Sequence, residues 1–155
     1  MHILYLCGRE ASYPLNQVLI RSFRKFARVD VIAESGPRRP ILLRSRPVRL
    51  AALPRLRSTH SDLVFGGVYG HLLMLPLKAL TRAPILFNPF ISTFETLVDD
   101  RKKFTARSLP ARLAFWLDKT ACRAASHILL DTQANIEFFS TTFGIERERF
   151  SCVYI

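Results

Sequence analysis

The feature that most restricts this chain is a repeated alternation: a short apolar run, then apolar residues at helical spacing, then another short apolar run. Ile3 to Cys7 is apolar throughout and stops at Gly8, as a strand buried on both faces of a parallel sheet would. Leu15, Val18, Leu19, Phe23 and Phe26 follow at helical spacing with Arg21, Arg24, Lys25 and Arg28 largely between them, which predicts an amphipathic helix with a basic outer face. Val29 to Ala33 reads as a second strand, Ser61 to Gly66 as a third, Pro84 to Phe87 as a fourth, Ile128 to Leu130 as a fifth and Phe150 to Ile155 as a sixth. Between them the spacing predicts a mostly apolar helix over Tyr69 to Leu80. After Pro110 it predicts one with Leu113, Trp116, Leu117, Thr120, Ala121 and Ala124 on its buried face. Asp131 or Thr132 can cap a last helix, which carries Ile136, Phe139 and Phe143 and closes at Gly144. Strands that alternate with helices in this way form β-α-β units. The expectation is a single α/β domain with a doubly wound, mostly parallel, Rossmann-like sheet in three layers, α/β/α. A chain of 155 residues is long enough for one packed core and too short for two.

Two segments break the alternation. From Arg38 to Arg57 there are seven arginines, no acidic residue, and prolines at 40, 47 and 54 that forbid one long helix. A surface excursion is expected there. Its Arg38, Arg39, Arg44, Arg46, Arg49, Arg55 and Arg57 either solubilise the fold or bind an anionic membrane, where each basic residue is worth ~1 kcal/mol. Ile91 to Pro110 reads as a long loop with a solvated charge run, Asp99-Asp100-Arg101-Lys102-Lys103, at its centre.

The charge of the whole chain points the same way as the excursion. Lys and Arg number 23 against 12 Asp and Glu, a net +11 that attracts phosphates on lipid, nucleic acid or substrate. Cys7, Cys122 and Cys152 are far apart in apolar surroundings and offer no metal cluster, so buried, reduced thiols and a reducing compartment are expected. The first residues show no charged leader. The longest apolar stretch, Leu63 to Leu80, is interrupted by glycines, His71, Pro76 and Lys78, so a strand and helix explain it better than a membrane span. A cytoplasmic location follows as the expectation, with peripheral attachment at the inner membrane face if the arginines act on lipid.

In an open parallel sheet, ligands bind beyond the carboxyl ends of the strands, where strand order reverses. For the order 3-2-1-4-5-6 that point lies between the first and fourth strands. Gly8, Arg9, Glu10, Ala11 and Ser12 then face Asn88, Pro89 and Phe90, with Gly66, Gly67, Asp131 and Thr132 on the same rim. No G-x-G-x-x-G loop, Walker lysine, H-E-x-x-H or G-x-S-x-G is present, so no dinucleotide, other cofactor or metal is expected. His2, His60, His71 and His127 are scattered and read as structural.

Ala125-Ser126-His127-Ile128-Leu129-Leu130-Asp131-Thr132, the helix through Phe143-Gly144, and Phe150 to Ile155 resemble the end of the N-terminal domain in family-four GT-B glycosyltransferases. Asn88 to Phe94 and Asp100 to Phe104 resemble a bacterial subset of the same enzymes. The resemblance runs over essentially the whole chain in order and spacing. It implies that residues 1–155 are the N-terminal, acceptor-side domain of a retaining hexosyltransferase that moves a sugar from a nucleotide-sugar donor to a polysaccharide or lipid-linked acceptor. The C-terminal nucleotide-sugar-binding domain would be absent beyond Val153-Tyr154-Ile155, leaving this half inactive alone. Gly8, Arg9, Glu10, Ser12, Asn88, Thr93, Asp131 and Thr132 become the expected acceptor-binding residues. The catalytic residue stays unassigned: many relatives carry a histidine after the fourth strand, and here Asn88 can supply only a neutral hydrogen bond. A basic module for nucleic acid is the alternative, although no aromatic residues are interleaved with the arginines.

Overall fold

The computed structural model describes residues 1–33 and 61–154, so the arginines of 38–57 and His60 lie outside the described residues. In chain order the elements are β1 (His2–Cys7), α1 (Pro14–Arg24), β2 (Arg28–Ala33), β3 (Leu63–Gly66), α2 (His71–Leu80) and β4 (Ile85–Phe87). Then come a one-turn helix α3 (Thr93–Glu95) running into a π-helical turn (Thr96–Asp100), α4 (Leu109–Ala124), β5 (His127–Leu130), α5 (Gln133–Phe143) and β6 (Phe150–Cys152). Every strand pairing is parallel, and the described strands form one six-stranded sheet.

Alternation along β1 builds a core on both sides of the sheet. Leu4 and Leu6 face a cluster with α2, α4 and α5, while Ile3, Tyr5 and Cys7 face one with α1. Tyr5 stacks on Phe65 across the β1–β3 pair with ring centroids 4.7 Å apart, worth about 1 kcal/mol beyond the area it buries. Helices on both faces of a parallel sheet are the three-layer arrangement that the alternation implied.

The strand order is β2-β1-β3-β4-β5-β6, which corrects the expected 3-2-1-4-5-6. Burial explains the difference. Val64, Phe65 and Gly66 are buried and need an interior position, whereas β2 carries exposed Arg28 and half-buried Val29, Asp30 and Val31. An edge tolerates such a strand, and among the described residues β2 forms one. Order therefore reverses between β1 and β3.

Other expectations are corrected by packing. The buried face of α4 is Ala111, Ala114, Asp118, Ala121 and Cys122, while Leu113 and Trp116 point outward. Small residues inside let α4 lie close against α2. In α1, Leu19 and Ile20 are buried but Val18 is exposed, and Phe26, expected on the same helix, lies exposed in the turn beyond its end. The long loop of 91–110 contains α3 and the π-helical turn, started by Ser92, whose Oγ accepts from the Glu95 N–H at 3.0 Å. Cys7 and Cys122 are buried free thiols, but Cys152 is only half-buried. Thr132, and not Asp131, caps α5, by accepting from the Asn135 N–H at 3.1 Å. No helix among the described residues is long and apolar enough to cross a membrane.

Candidate functional site

The carboxyl ends of all six strands form one rim, and the turns there are held by backbone hydrogen bonds. Gly67 N–H donates to the Leu6 carbonyl at 2.7 Å, Gly8 N–H to Val68 at 3.1 Å, and Asn88 N–H to Gly66 at 2.8 Å. These three bonds tie the ends of β1, β3 and β4 together. A Cβ on Gly8 would lie 2.4 Å from the Tyr69 carbonyl oxygen, so only glycine allows the β1 turn to approach the β3 turn this closely.

An aromatic and cationic cluster lies on this frame. The Arg9 guanidinium lies 4.4 Å from the Tyr13 ring centroid and 5.7 Å from that of Tyr69, while Tyr13 meets Phe90 edge-on at 6.4 Å. Arg9 also pairs with Glu10 at 3.0 Å. Tyr69 and Phe90 both adopt left-handed backbone, φ 57° and 70°. Such a conformation costs a bulky residue on the order of 1–3 kcal/mol and gathers at binding sites. Both rings are half-buried, with polar groups beside them, as in surfaces that take a ligand with apolar faces and hydroxyl edges.

Below the rim is a second, buried group of side chains. Asp118 of α4 is fully buried and accepts from Ser92 Oγ–H at 2.7 Å and from the Phe94 N–H at 2.9 Å. Its other oxygen lies 3.5 Å from Nε2 of His71, an ion-pair distance without hydrogen-bond geometry. Burial pushes the His71 pKa below its usual value, and Asp118 opposes this only partly. The imidazole sits edge-on to Phe87 at 5.3 Å, one residue before Asn88. Asp118 thus fixes the turn after β4, with His71 buried beside it.

The expected acceptor residues are spread along the rim. Gly8, Arg9 and Glu10 follow β1, beside the point between β1 and β3 where strand order reverses, and Ser12 is exposed beyond them. Asn88 lies two strands from β1 and is buried, and Thr93 opens α3. Asp131 and Thr132 follow β5, three strands from β1, or about 14 Å at the usual strand spacing. Asp131 is occupied locally, accepting from Asn135 Nδ2 at 2.6 Å. Sequence reasoning missed Tyr13, Tyr69, Ser92 and Asp118. Ser92-Thr93-Phe94-Glu95 carried a readable capping-box signature, while the others had no local signal.

Two groups near the described rim titrate away from their ordinary values. The Cys7 thiol is pushed up to about 12, mainly by burial, and it donates to the Arg9 carbonyl at 3.2 Å, so it is no thiolate nucleophile. Glu95 is also raised above its usual value, by partial burial first and then by Asp100, Asp99 and Asp118. Among the described residues no three His, Cys, Asp or Glu side chains are grouped as metal ligands would be.

No family model matches the chain, and no curated protein matches it in sequence. Among solved structures it is similar to the crystal structure of CalG4, the calicheamicin glycosyltransferase, with a TM-score of 0.54 and 15% identity. That likeness covers 99% of this chain and 52% of the other. The chain therefore shares the fold of about half of a glycosyltransferase, a single Rossmann-like α/β domain with an all-parallel sheet.

Proposed function

We propose that this chain is the acceptor-side lobe of a two-lobed GT-B glycosyltransferase, whose nucleotide-sugar donor is held by a second lobe. The observation that carries this reading is the pairing of a half-length match to a glycosyltransferase with a rim that gathers Arg9, Tyr13, Tyr69 and Phe90. Aromatic faces suit the C–H faces of a sugar ring, and Arg9 suits a hydroxyl or a linking phosphate. A polysaccharide or lipid-linked acceptor fits that chemistry. Retention of configuration rests on the sequence resemblance to family-four enzymes alone. If the arginines of 38–57 act on lipid, the lobe works at the inner membrane face.

The test is two-dimensional NMR of the labelled chain titrated with oligosaccharides and with lipid-diphosphate-linked sugars. The expected result is shifts confined to residues 8–13, 66–70 and 88–93, lost in Tyr69→Ala and Arg9→Ser. Shifts elsewhere would overturn the reading. Tight binding to duplex or single-stranded nucleic acid at physiological salt would favour the module for polyanions instead.

A further inference from the structure

The outer face of α4 is apolar where a surface helix is normally polar. Leu109 is 67% exposed, Leu113 58% and Trp116 56%, and they recur at i, i+4 and i+7, so they form one stripe on the side opposite Ala111, Ala114 and Asp118. Phe104 in the preceding turn is exposed too. Single exposed leucines are ordinary, but a continuous stripe with a tryptophan marks a surface that meets something.

Charge identifies the occupant. From residue 101 to 117 the chain has five basic side chains, Arg101, Lys102, Lys103, Arg107 and Arg112, all exposed, and no acidic one. The exposed Asp99 and Asp100 end the stretch at its start, and Asp118 is buried. An apolar stripe bordered by cations, with tryptophan in the stripe, is the arrangement of a helix that lies in the headgroup layer of an anionic bilayer.

Topology gives the contact a direction. Each helix returns antiparallel to its strands, so the N-terminal half of α4, which carries Leu109 and Leu113, stands at the same end of the sheet as Gly8 and Asn88. From these positions we infer that α4 docks this chain on an anionic lipid surface through Leu109, Leu113 and Trp116, with Arg107 and Arg112 on headgroup phosphates, so that the acceptor rim lies next to the bilayer. The inference deepens the acceptor-lobe reading by making the acceptor lipid-linked, but docking itself needs no sugar transfer.

Trp116 is the sole tryptophan and reports on its own surroundings. The experiment adds vesicles of phosphatidylcholine, with and without one-third phosphatidylglycerol, to the chain and follows Trp116 emission together with flotation. A blue shift and quenching by brominated acyl chains are expected only with the anionic vesicles. The partition constant should fall roughly tenfold or more in Leu109→Ser/Leu113→Ser, and again in Arg107→Ser/Arg112→Ser. All four side chains are exposed, so thermal melts of these variants should match the parent. Flotation with unshifted Trp116 emission would overturn the proposal by placing the contact elsewhere. Absence of flotation would overturn it outright, and a shift that grows with protein concentration without vesicles would assign the stripe to a second copy. Because vesicle binding is read without acceptor or donor, failure of the sugar-binding titration leaves this result standing, and the reverse also holds.

Discussion

Asp118 and His71 are buried beneath the rim, and Asp118 holds the segment that follows β4. A buried carboxylate is costly unless it is hydrogen-bonded; one oxygen of Asp118 holds Ser92 and the Phe94 N–H, while the other faces His71 without a hydrogen bond. His71 beside it is held below its ordinary pKa by burial, so the folded protein resists protonating it. Above the unfolded value near 6.5 both states are neutral at this residue and its contribution is complete. As pH falls below that value the unfolded chain takes up the proton first, and stability is lost with a slope of at most about 1.4 kcal/mol per pH unit. Glu95, raised in the fold, works in the other direction, because its stabilising contribution is lost as pH rises through its folded pKa. Urea unfolding should therefore show a lower midpoint at about pH 5.5 than at about pH 7.5, and His71→Gln should flatten that difference. An unchanged difference in His71→Gln would assign the pH dependence to other groups.

At the scale of elements, the β-α alternation was legible because apolar runs of strand length are hard to place anywhere except inside a parallel sheet. Strand order was not, since each β-α-β crossover has a handedness but no fixed stride, and only the relative burial of β2 and β3 decides which is interior. Helix faces were misread where size and polarity disagree. In α4 the periodicity of large apolar residues runs along the outside, while alanines and one aspartate run along the inside. Of the candidate site, the Gly8-Arg9-Glu10 turn was legible from its place after β1, whereas Tyr69 and Tyr13 meet Arg9 only once the turns of β1 and β3 are brought together. Two glycines separate these causes experimentally. Gly144 closes α5 at φ 63° with open space around a Cβ, so Gly144→Ala should cost only the left-handed penalty, about 1 kcal/mol. At Gly8 the Cβ meets backbone, and the two turns must part, so Gly8→Ala should cost about 2–3 kcal/mol and shift the rim resonances. Equal costs in chemical denaturation would mean that the β1–β3 turn contact is looser than its geometry.

For the molecule as a whole, the proposed acceptor lobe has to work as one half of a two-lobed transferase. Its match spans 52% of a glycosyltransferase, and among the described rim residues Ala11 and Ser12 are exposed. Sugar transfer needs donor and acceptor aligned and water kept away, or the activated sugar is hydrolysed. Closure of a second lobe over the acceptor is the usual way to exclude water. If Arg9 and Tyr69 hold the acceptor, a protein that joins this chain to a nucleotide-sugar-binding lobe should show a raised acceptor KM in Arg9→Ser and Tyr69→Ala while the donor KM stays unchanged. Losing one charge-assisted hydrogen bond or one ring face should raise the acceptor KM by roughly tenfold. The 155-residue chain alone should bind saccharide and transfer nothing. Steady-state kinetics with each substrate varied in turn decide it: equal changes in both constants, or transfer by the isolated chain, would place the donor on this rim.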